Sequence, residues 1–300
     1  MNILLIGKTG QLGGSILAEQ SEHQFYVPGK DELDIASRQS CKEAITNYSP
    51  DVVINTAAFH NVPQCEIEPG RAFTVNCQAV RDLAALCKKH NSLFVTFSTD
   101  YVFDGIGKTP YQENDRAIPL QIYGISRLAG ELVSLATAPE HAVIIRTCGL
   151  YGLSGASSKG GNFVDNRIAD AQKHRHLEMG CDQVVSPTYA RDLAQAVLRL
   201  IEHPKLTPGI YHLVNEGECS WYDFTKTIYE IMGIDVELIP VDRKGMSGEM
   251  RRPQYSALAN TKARELGITL PHWKDSLQRY IHEKYESRIT NAGKLHYGGE

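Results

Sequence analysis

The feature that most constrains the fold is a glycine-rich turn near the start of the chain, Gly7-Lys8-Thr9-Gly10-Gln11-Leu12-Gly13. A short β-rich run, Asn2–Ile6, precedes it, and residues 15–20 follow with a helical pattern. Glycines allow a tight turn and a close approach of backbone to a pyrophosphate, which the free N–H groups of a helix N-terminus then bind. Glycine clusters also form plain turns, but this strand–turn–helix order predicts a dinucleotide site.

The rest of the first half alternates short apolar runs with helical patterns. Apolar runs occupy residues 24–27, 50–58, 93–97 and 142–146, with helical segments between them. This alternation predicts an α/β fold with a Rossmann-type, doubly wound parallel sheet and right-handed crossovers.

Beyond residue 150 the pattern loosens, which predicts a smaller C-terminal substrate-binding lobe. We expect residues 1–150 plus about 186–204 to form the NAD(P)-binding domain. Residues 151–185 and 205–285 are expected to form the lobe, and 286–300 a tail. Residues 154–161, rich in Gly, Ser and Lys, are interpreted as a mobile or substrate-gated loop.

The end of the second apolar run favours NADP over NAD. NAD-binding chains place Asp or Glu there to hold the ribose 2′-hydroxyl. This chain instead reads Pro28-Gly29-Lys30, so Lys30 is placed to face a 2′-phosphate, with a solvated loop lysine as the alternative. Asp34 contacts the adenine edge or, alternatively, only favours the start of the next helix.

Charge and cysteine content exclude several classes of protein. The formal net charge is −4 and no run of five basic residues occurs, which argues against a nucleic-acid partner. No stretch of 18 apolar residues and no signal-peptide pattern are present, so a cytoplasmic protein is expected. Seven cysteines without a CxxC pair favour reduced, buried thiols over disulfides or a metal site.

A stretch at residues 98–131 has the composition of a catalytic centre. Hydroxyl residues follow the apolar run 93–97, and Tyr123 and Arg127 lie four apart on a predicted helix, hence on one face. A nearby cation lowers the pKa of a phenol from its ordinary value of about 10. Thr99, Tyr123 and Arg127 would then polarise a ketone and protonate its oxygen while nicotinamide supplies hydride. The alternative is that Tyr123 and Arg127 only brace the helix.

Several motifs in this order resemble one known family. They are Gly7–Gly13, Asn55–Ala58, Val75-Asn76, Ser98-Thr99-Asp100-Tyr101-Val102-Phe103-Asp104-Gly105, Tyr123-Gly124-Ile125-Ser126-Arg127-Leu128-Ala129-Gly130-Glu131, Ser186-Pro187-Thr188, Tyr211-His212-Leu213 and Arg252-Pro253 with Ser256. Over residues 1–284 the chain resembles the dTDP-4-dehydrorhamnose reductase family of extended short-chain dehydrogenases/reductases. The resemblance implies NADPH-dependent (or NADH-dependent) reduction of the 4-keto group of dTDP-4-dehydro-L-rhamnose to dTDP-L-rhamnose, a polysaccharide precursor. It also implies a homodimer.

The resemblance assigns roles to individual residues. Tyr123 would be the proton donor, Thr99 would polarise the carbonyl, and Arg127 would hold the nicotinamide ribose. The residues implied to wrap the pyrophosphate are Gly7, Lys8, Thr9, Gly10, Gln11 and Leu12. Those implied to line the rest of the cofactor are Asp34, Ile35, Ala57, Ala58, Phe59, Asn76 and Ser98. Those implied to face the nucleotide sugar are Thr99, Asp100, Asn162, Phe163, Pro187 and Arg252.

Two departures from the family pattern open alternatives. Arg127 stands where the family has Lys, and its planar fork does not reproduce a compact ammonium. An NADP-binding regulatory subunit, similar to the methionine adenosyltransferase β subunit, is therefore the second hypothesis. His60 and Pro63 replace the family's Thr and Asp, so a reductase of another deoxysugar nucleotide is the third. His60 is either a proton relay or a solvated loop residue.

Overall fold

A six-stranded parallel sheet forms the centre of the molecule, in the order β10-β5-β4-β3-β1-β2. The computed structural model describes residues 1–154, 161–248 and 250–295, with the backbone alone at Ser247 and at 287–295. The strands of the sheet are β1 (Asn2–Ile6), β2 (Gln24–Tyr26), β3 (Val52–Asn55), β4 (Leu93–Thr99), β5 (Ala142–Thr147) and β10 (Gly209–His212). The predicted doubly wound α/β class is confirmed.

Helices cover both faces of this sheet because its strands are apolar on both sides. On β1, Ile3 and Leu5 face one helical layer, whereas Leu4 and Ile6 face the other. The helices of this part are α1 (Gln11–Ala18), α2 (Arg38–Tyr48), α3 (Val62–Ile67), α4 (Pro69–Phe73), α5 (Ala79–His90), α6 (Ile122–Thr137), α8 (Ala190–Glu202) and α10 (Thr261–Glu265). A 3₁₀ turn, Asp100–Val102, follows β4.

The glycine-rich turn between β1 and α1 has the predicted form. Gly7 has φ +92°, a backbone conformation that favours glycine, and a Cβ on Gly13 would lie 2.3 Å from the Gly7 carbonyl oxygen. Helix α1 begins at Gln11, four residues earlier than the sequence pattern indicated. Its N-terminus therefore opens directly onto the turn.

The helical segment that precedes β4 is interrupted. A π-helical turn, Thr74–Gln78, separates α4 from α5 and contains the buried Asn76. A Cβ on Gly130 would lie 2.2 Å from the Asn76 carbonyl oxygen, so α6 packs directly on this turn. The π turn and α6 thus hold Asn76 beside Arg127 of α6.

The smaller lobe has its own core of aromatic side chains, including Tyr151, Tyr189, Phe224, Trp273 and Tyr280. Its helices are α7 (Phe163–Ala171), α9 (Trp221–Met232) and α11 (Trp273–Leu295). Its short strands are β6 (Leu150–Tyr151), β7 (His176–Gly180), β8 (Val184–Val185), β9 (Thr188–Tyr189), β11 (Cys219–Ser220), β12 (Glu237–Val241), β13 (Met246–Ser247) and β14 (Met250–Arg251). They pair as β6–β9, β7–β12, β8–β11 and β13–β14.

Two segment boundaries differ from the expectation. Strand β10 pairs with β5 in the main sheet and α10 packs against it, so neither residues 209–212 nor residues 261–265 belong to the lobe to which 205–285 was assigned. Helix α11 continues to Leu295, through most of the expected tail. Residues 155–160 of the loop interpreted as mobile, and residues 296–300, lie outside the described residues. No described helix is long and apolar enough to cross a membrane.

Candidate active site

Two adjoining cavities lie at the carboxyl ends of the parallel strands, where open α/β sheets bind ligands. The outer cavity, about 610 Å³, lies beside the glycine-rich turn and the tip of β2. The inner cavity, about 360 Å³, lies at the ends of β4 and β5. Gly10, Thr56, Ala58 and His60 line both, so they form one continuous cleft.

The outer cavity contains most of the predicted cofactor residues. These are Gly7, Lys8, Thr9, Gly10, Lys30, Asp34, Ile35, Ala57, Ala58 and Phe59. Lys8 Nζ donates a hydrogen bond to the Val27 carbonyl oxygen at 2.8 Å, which holds the ammonium just beyond β2. The Asp34 carboxylate accepts from the Ala36 N–H at 3.0 Å and so stabilises the turn before α2.

Arg71 also lines the outer cavity, although the sequence gave no reason to choose it. Its guanidinium lies 4.6 Å from the centre of the Phe59 ring. Lys8, Lys30 and Arg71 thus give the outer cavity three cations, a charge pattern that suits a phosphate-bearing ligand.

The inner cavity contains the remaining predicted reactive residues: Gln11, Leu12, Ser98, Thr99, Asp100, Tyr123 and Arg127. His60, which the sequence offered as a proton relay or a solvated loop residue, lines both cavities. Sequence reasoning missed Val62, Tyr101, Thr147, Cys148, Gly149, Leu150 and Trp221. Thr147 and Cys148 lie at the carboxyl end of β5. They could have been predicted, as Thr99 was, because residues at the carboxyl ends of parallel strands line the ligand site. Trp221 comes from the smaller lobe, and no sequence signal connects it with this site.

Tyr123 and Arg127 share one face of α6, as their spacing predicts. Burial raises the pKa of the Tyr123 phenol above its ordinary value, while Arg127 and the Thr99 hydroxyl act in the opposite direction. Arg127 lowers this pKa as expected, but the net shift is upward, because desolvation of the phenolate outweighs the charge of Arg127.

Asn76 positions this face of α6 and lines neither cavity. Its amide oxygen accepts from the Phe59 N–H at 2.9 Å, and its Nδ2 donates to the Phe59 carbonyl oxygen at 2.9 Å. Nδ2 also donates to Ser126 Oγ at 3.0 Å, and Arg127 Nη1 donates to the Asn76 amide oxygen at 3.4 Å. One buried amide thus links the segment around Phe59 to Arg127.

Thr99 and Asp100 form a buried polar pair at the end of β4. Thr99 Oγ1 lies 3.0 Å from Asp100 Oδ1 and accepts from the Tyr101 N–H at 3.2 Å. Ser256 Oγ donates to Asp100 Oδ2 at 2.6 Å. Burial raises the pKa of the Asp100 carboxyl, although hydrogen bonds from Ser256, Cys148 and Thr99 oppose the shift.

Ser98 lies against the same cavity, but its hydroxyl is used within the scaffold. It donates to Glu131 on α6, which also forms an ion pair with Arg146 on β5. Arg146 Nη2 and Nε lie 2.6 and 2.9 Å from the two carboxylate oxygens of Glu131. The bidentate pair fixes α6 against the sheet.

Four residues expected to face the substrate line neither cavity. Asn162 caps α7, and its Nδ2 donates to the Gly152 carbonyl oxygen at 2.9 Å. The Phe163 ring packs on Trp221, with centroids 4.4 Å apart, and Pro187 lies against Gly149. Arg252 donates its backbone N–H to the Gly245 carbonyl oxygen at 2.6 Å, and its buried Nε has no partner among the described residues.

The arrangement suits reduction of a carbonyl. A phenol, a hydroxyl and a cation line one pocket that opens into a cationic, glycine-lined cleft. The described residues contain no group of His, Cys, Asp or Glu arranged to hold a metal ion. The seven cysteines, all of which lie in the described part of the chain, form no disulfide bond.

Comparison with known proteins identifies full-length relatives. A family model described as RmlD substrate binding domain matches residues 1–286. The spore coat polysaccharide biosynthesis protein SpsK of Bacillus subtilis is 37% identical, covering 94% of this chain and 97% of its own. A dTDP-4-keto-6-deoxy-D-glucose reductase of Streptomyces niveus is 32% identical, covering 91% and 94%. A crystal structure of dTDP-4-dehydrorhamnose reductase from Bacillus anthracis in complex with NADP superimposes with a TM-score of 0.88, at 31% identity, covering 94% and 99%.

Proposed function

The chain belongs to the RmlD substrate binding domain family of dTDP-4-dehydrorhamnose reductases, and from this premise we propose that it is an NADPH-dependent oxidoreductase. It reduces the 4-keto group of dTDP-4-dehydro-L-rhamnose and forms dTDP-L-rhamnose. The observation that carries the proposal is the meeting of Thr99, Tyr123 and Arg127 in one cavity that opens into the glycine-lined cleft.

The outer cavity fits the dinucleotide. The N–H groups at the start of α1 face the turn from Gly7 to Gly10, where a pyrophosphate binds. Lys8 and Lys30 flank the tip of β2, where they would hold a 2′-phosphate, so NADPH is favoured over NADH. Asp34, Ile35, Ala57, Ala58 and Phe59 line the adenosine side, and Gln11, Leu12 and Ser98 the nicotinamide side.

The inner cavity supplies the proton and the polarisation. When bound, NADPH supplies a hydride to the carbonyl carbon. Tyr123 donates its phenol proton to the carbonyl oxygen, and Thr99 donates a hydrogen bond to the same oxygen. Arg127 stabilises the phenolate that remains, since its positive charge lowers the pKa of Tyr123 against the effect of burial.

The sugar lies against the wall formed by Trp221 and Gly149, which Phe163 and Pro187 support from behind. Asn162 holds the start of α7 next to this wall. Arg252 is the cation for the diphosphate, because a guanidinium binds phosphate oxygens in a bidentate manner. Asp100 also contacts the inner cavity.

The proposal is tested by following NADPH oxidation at 340 nm with dTDP-4-dehydro-L-rhamnose as acceptor. Tyr123→Phe should lower kcat by about 10²–10⁴ and leave the Kd for NADPH, measured by fluorescence, unchanged. A wild-type rate at background with every 4-keto-6-deoxyhexose nucleotide in a panel contradicts the proposal. The panel includes dTDP-4-keto-6-deoxy-D-glucose, because the Streptomyces niveus relative carries that name.

A second candidate, a non-catalytic NADP-binding subunit, is favoured by one observation. The Arg127 guanidinium is 6% exposed and contacts Asn76, so its planar fork is partly occupied inside the protein. Arg127→Lys separates the two candidates. A large gain in turnover indicates a weakened reductase, whereas tight NADPH binding without turnover in either protein, together with a copurifying partner, indicates a regulatory role.

A further inference from the structure

The Thr99 hydroxyl has two competing uses for its single hydrogen. Its oxygen lies 3.0 Å from Asp100 Oδ1 and already accepts from the Tyr101 N–H. A hydroxyl has one hydrogen to donate. While that hydrogen points at an Asp100 carboxylate, Thr99 offers only a lone pair to the cavity and cannot polarise a carbonyl. Thr99 serves the proposed reaction only when Asp100 carries a proton and becomes the donor.

The surroundings of Asp100 favour that protonated form. The residue is 4% exposed, and no Lys, Arg or His lies within ion-pair distance of it among the described residues. Its second oxygen is held by Ser256 Oγ at 2.6 Å. The titratable groups that face it are Cys148, Tyr101 and Tyr123. All three are neutral at pH 7, because the ordinary pKa of a thiol or phenol lies above 7 and burial raises it further. Two cations lie behind these tyrosines and act on them rather than on Asp100 directly: Arg127 acts on Tyr123, and Arg252 acts on Tyr101.

The residue that replaces the family's lysine removes another proton route. An ammonium can release a proton towards a phenolate, because the pKa of a buried lysine shifts readily. A guanidinium remains protonated at any pH at which the enzyme is folded. Arg127 can therefore stabilise the Tyr123 phenolate but cannot reprotonate it.

We propose that Asp100 reprotonates Tyr123 through Thr99, an inference that rests on the proposed reductase function. Reduction uses one hydride at the carbonyl carbon and the phenol proton of Tyr123 at the carbonyl oxygen. The phenolate then takes the hydrogen of Thr99 Oγ1, and Thr99 takes the proton of Asp100 Oδ1. After product release the Asp100 carboxylate takes a proton from solvent in the cavity, which restores the starting state. Asp100 acts through Thr99 and does not touch the reacting atoms during this step.

The sharpest test is Asp100→Asn in stopped-flow NADPH oxidation. The asparagine N–H donates a hydrogen bond to Thr99, so the Thr99 hydroxyl can still polarise the carbonyl. The asparagine amide is not an acid, so it cannot pass a proton to Thr99. We expect one rapid NADPH oxidation per active site, within about threefold of the wild-type rate, followed by steady-state turnover at least tenfold slower than wild type. Asp104→Asn is the matched control and should retain both phases, because the Asp104 carboxylate accepts from the Tyr111 hydroxyl at 2.9 Å, outside the cavities.

Two results would overturn the proposal: Asp100→Asn with wild-type steady-state turnover, or with both phases slowed by the same factor. A wild-type protein without activity instead contradicts the proposed function itself.

Ser256→Ala provides a second test that leaves the carboxyl in place. The wild-type kcat should fall as pH rises past the pKa of Asp100, since the relay needs the protonated form. The hydrogen bond from Ser256 lowers that pKa. Its removal should therefore move the alkaline limb of the pH profile to higher pH, and an unmoved limb contradicts the relay.

Discussion

Two successive turns of α6 carry buried charges with different partners: one charge is ion-paired and the other contacts a neutral amide. Glu131 and Arg146 form a bidentate ion pair whose side chains are 2% and 3% exposed. About one turn earlier, Arg127 is 6% exposed, and its guanidinium donates a 3.4 Å hydrogen bond to the neutral amide oxygen of Asn76. No carboxylate lies within ion-pair distance of Arg127 among the described residues.

The difference distinguishes a charge that stabilises the fold from a charge that acts on a neighbouring titratable group. A buried ion pair whose partners satisfy each other has little charge left for a ligand, and it fixes one helix against one strand. A buried cation without a carboxylate partner keeps its field for the group in front of it, here the Tyr123 phenol. In the described part of the chain, the same helix therefore carries its rigid anchor and a cation without a carboxylate partner about a turn apart.

The largest expected effect comes from breaking the satisfied pair. Glu131→Gln leaves Arg146 buried and uncompensated, so we expect a loss of about 3–5 kcal/mol in the free energy of unfolding, measured with urea. The exposed pair of Lys226 and Glu230, 3.9 Å apart, is the control. Glu230→Gln should cost less than about 1 kcal/mol. Equal losses in the two variants would show that Glu131 is no anchor.

A double variant sharpens this result. Replacing both partners with apolar side chains, as in Glu131→Leu with Arg146→Met, removes the unpaired charge as well as the pair. We therefore expect it to recover most of the stability lost in Glu131→Gln.

The second largest effect on stability is expected at low pH, where protonation of His212 would add a charge beside the ion pair. His212 lies opposite Arg146 on the neighbouring strand, and burial, with Arg146 and Lys262, lowers its pKa from 6.5 to about 3. The unfolded chain therefore binds a proton that the folded protein does not, so stability is present above pH 6.5 and is lost as pH falls towards 3. Between pH 7.5 and pH 5 this amounts to roughly 2 kcal/mol, since one pKa unit is about 1.4 kcal/mol.

Urea unfolding at the two pH values measures that loss. His212→Asn should show a smaller decline than wild type, whereas the exposed His174→Asn should follow wild type. The same decline in His212→Asn and wild type would contradict the assignment.

The smallest effect on stability is expected at the unsatisfied cation. Arg127→Met removes a buried charge that has no carboxylate partner, so the free energy of unfolding should stay within about 1 kcal/mol of wild type. NADPH turnover should be lost in the same variant. A loss of stability as large as that of Glu131→Gln would show that Arg127 also anchors α6, which contradicts the difference between the two turns.

The sequence predicted best what is local in the chain. The turn at Gly7 and the pair Tyr123 and Arg127 are short motifs. Thr99 was predicted beside them because ligands bind at the carboxyl ends of parallel strands. The contact of Ser256 with Asp100 spans 156 residues, and Trp221 reaches the cavity from the other lobe, so no local pattern contains either. The sign of the Tyr123 pKa shift also depends on burial, which residue spacing does not report.

The order of the central sheet has a consequence for how the chain acquires its structure. Its edge strand β10 and the covering helix α8 come from residues 190–212, after most of the lobe segment that carries α7 and β7. During synthesis, the first five strands emerge with one edge and part of one face of the sheet still bare. The nucleotide-binding half therefore completes its sheet only once part of the smaller lobe has been made.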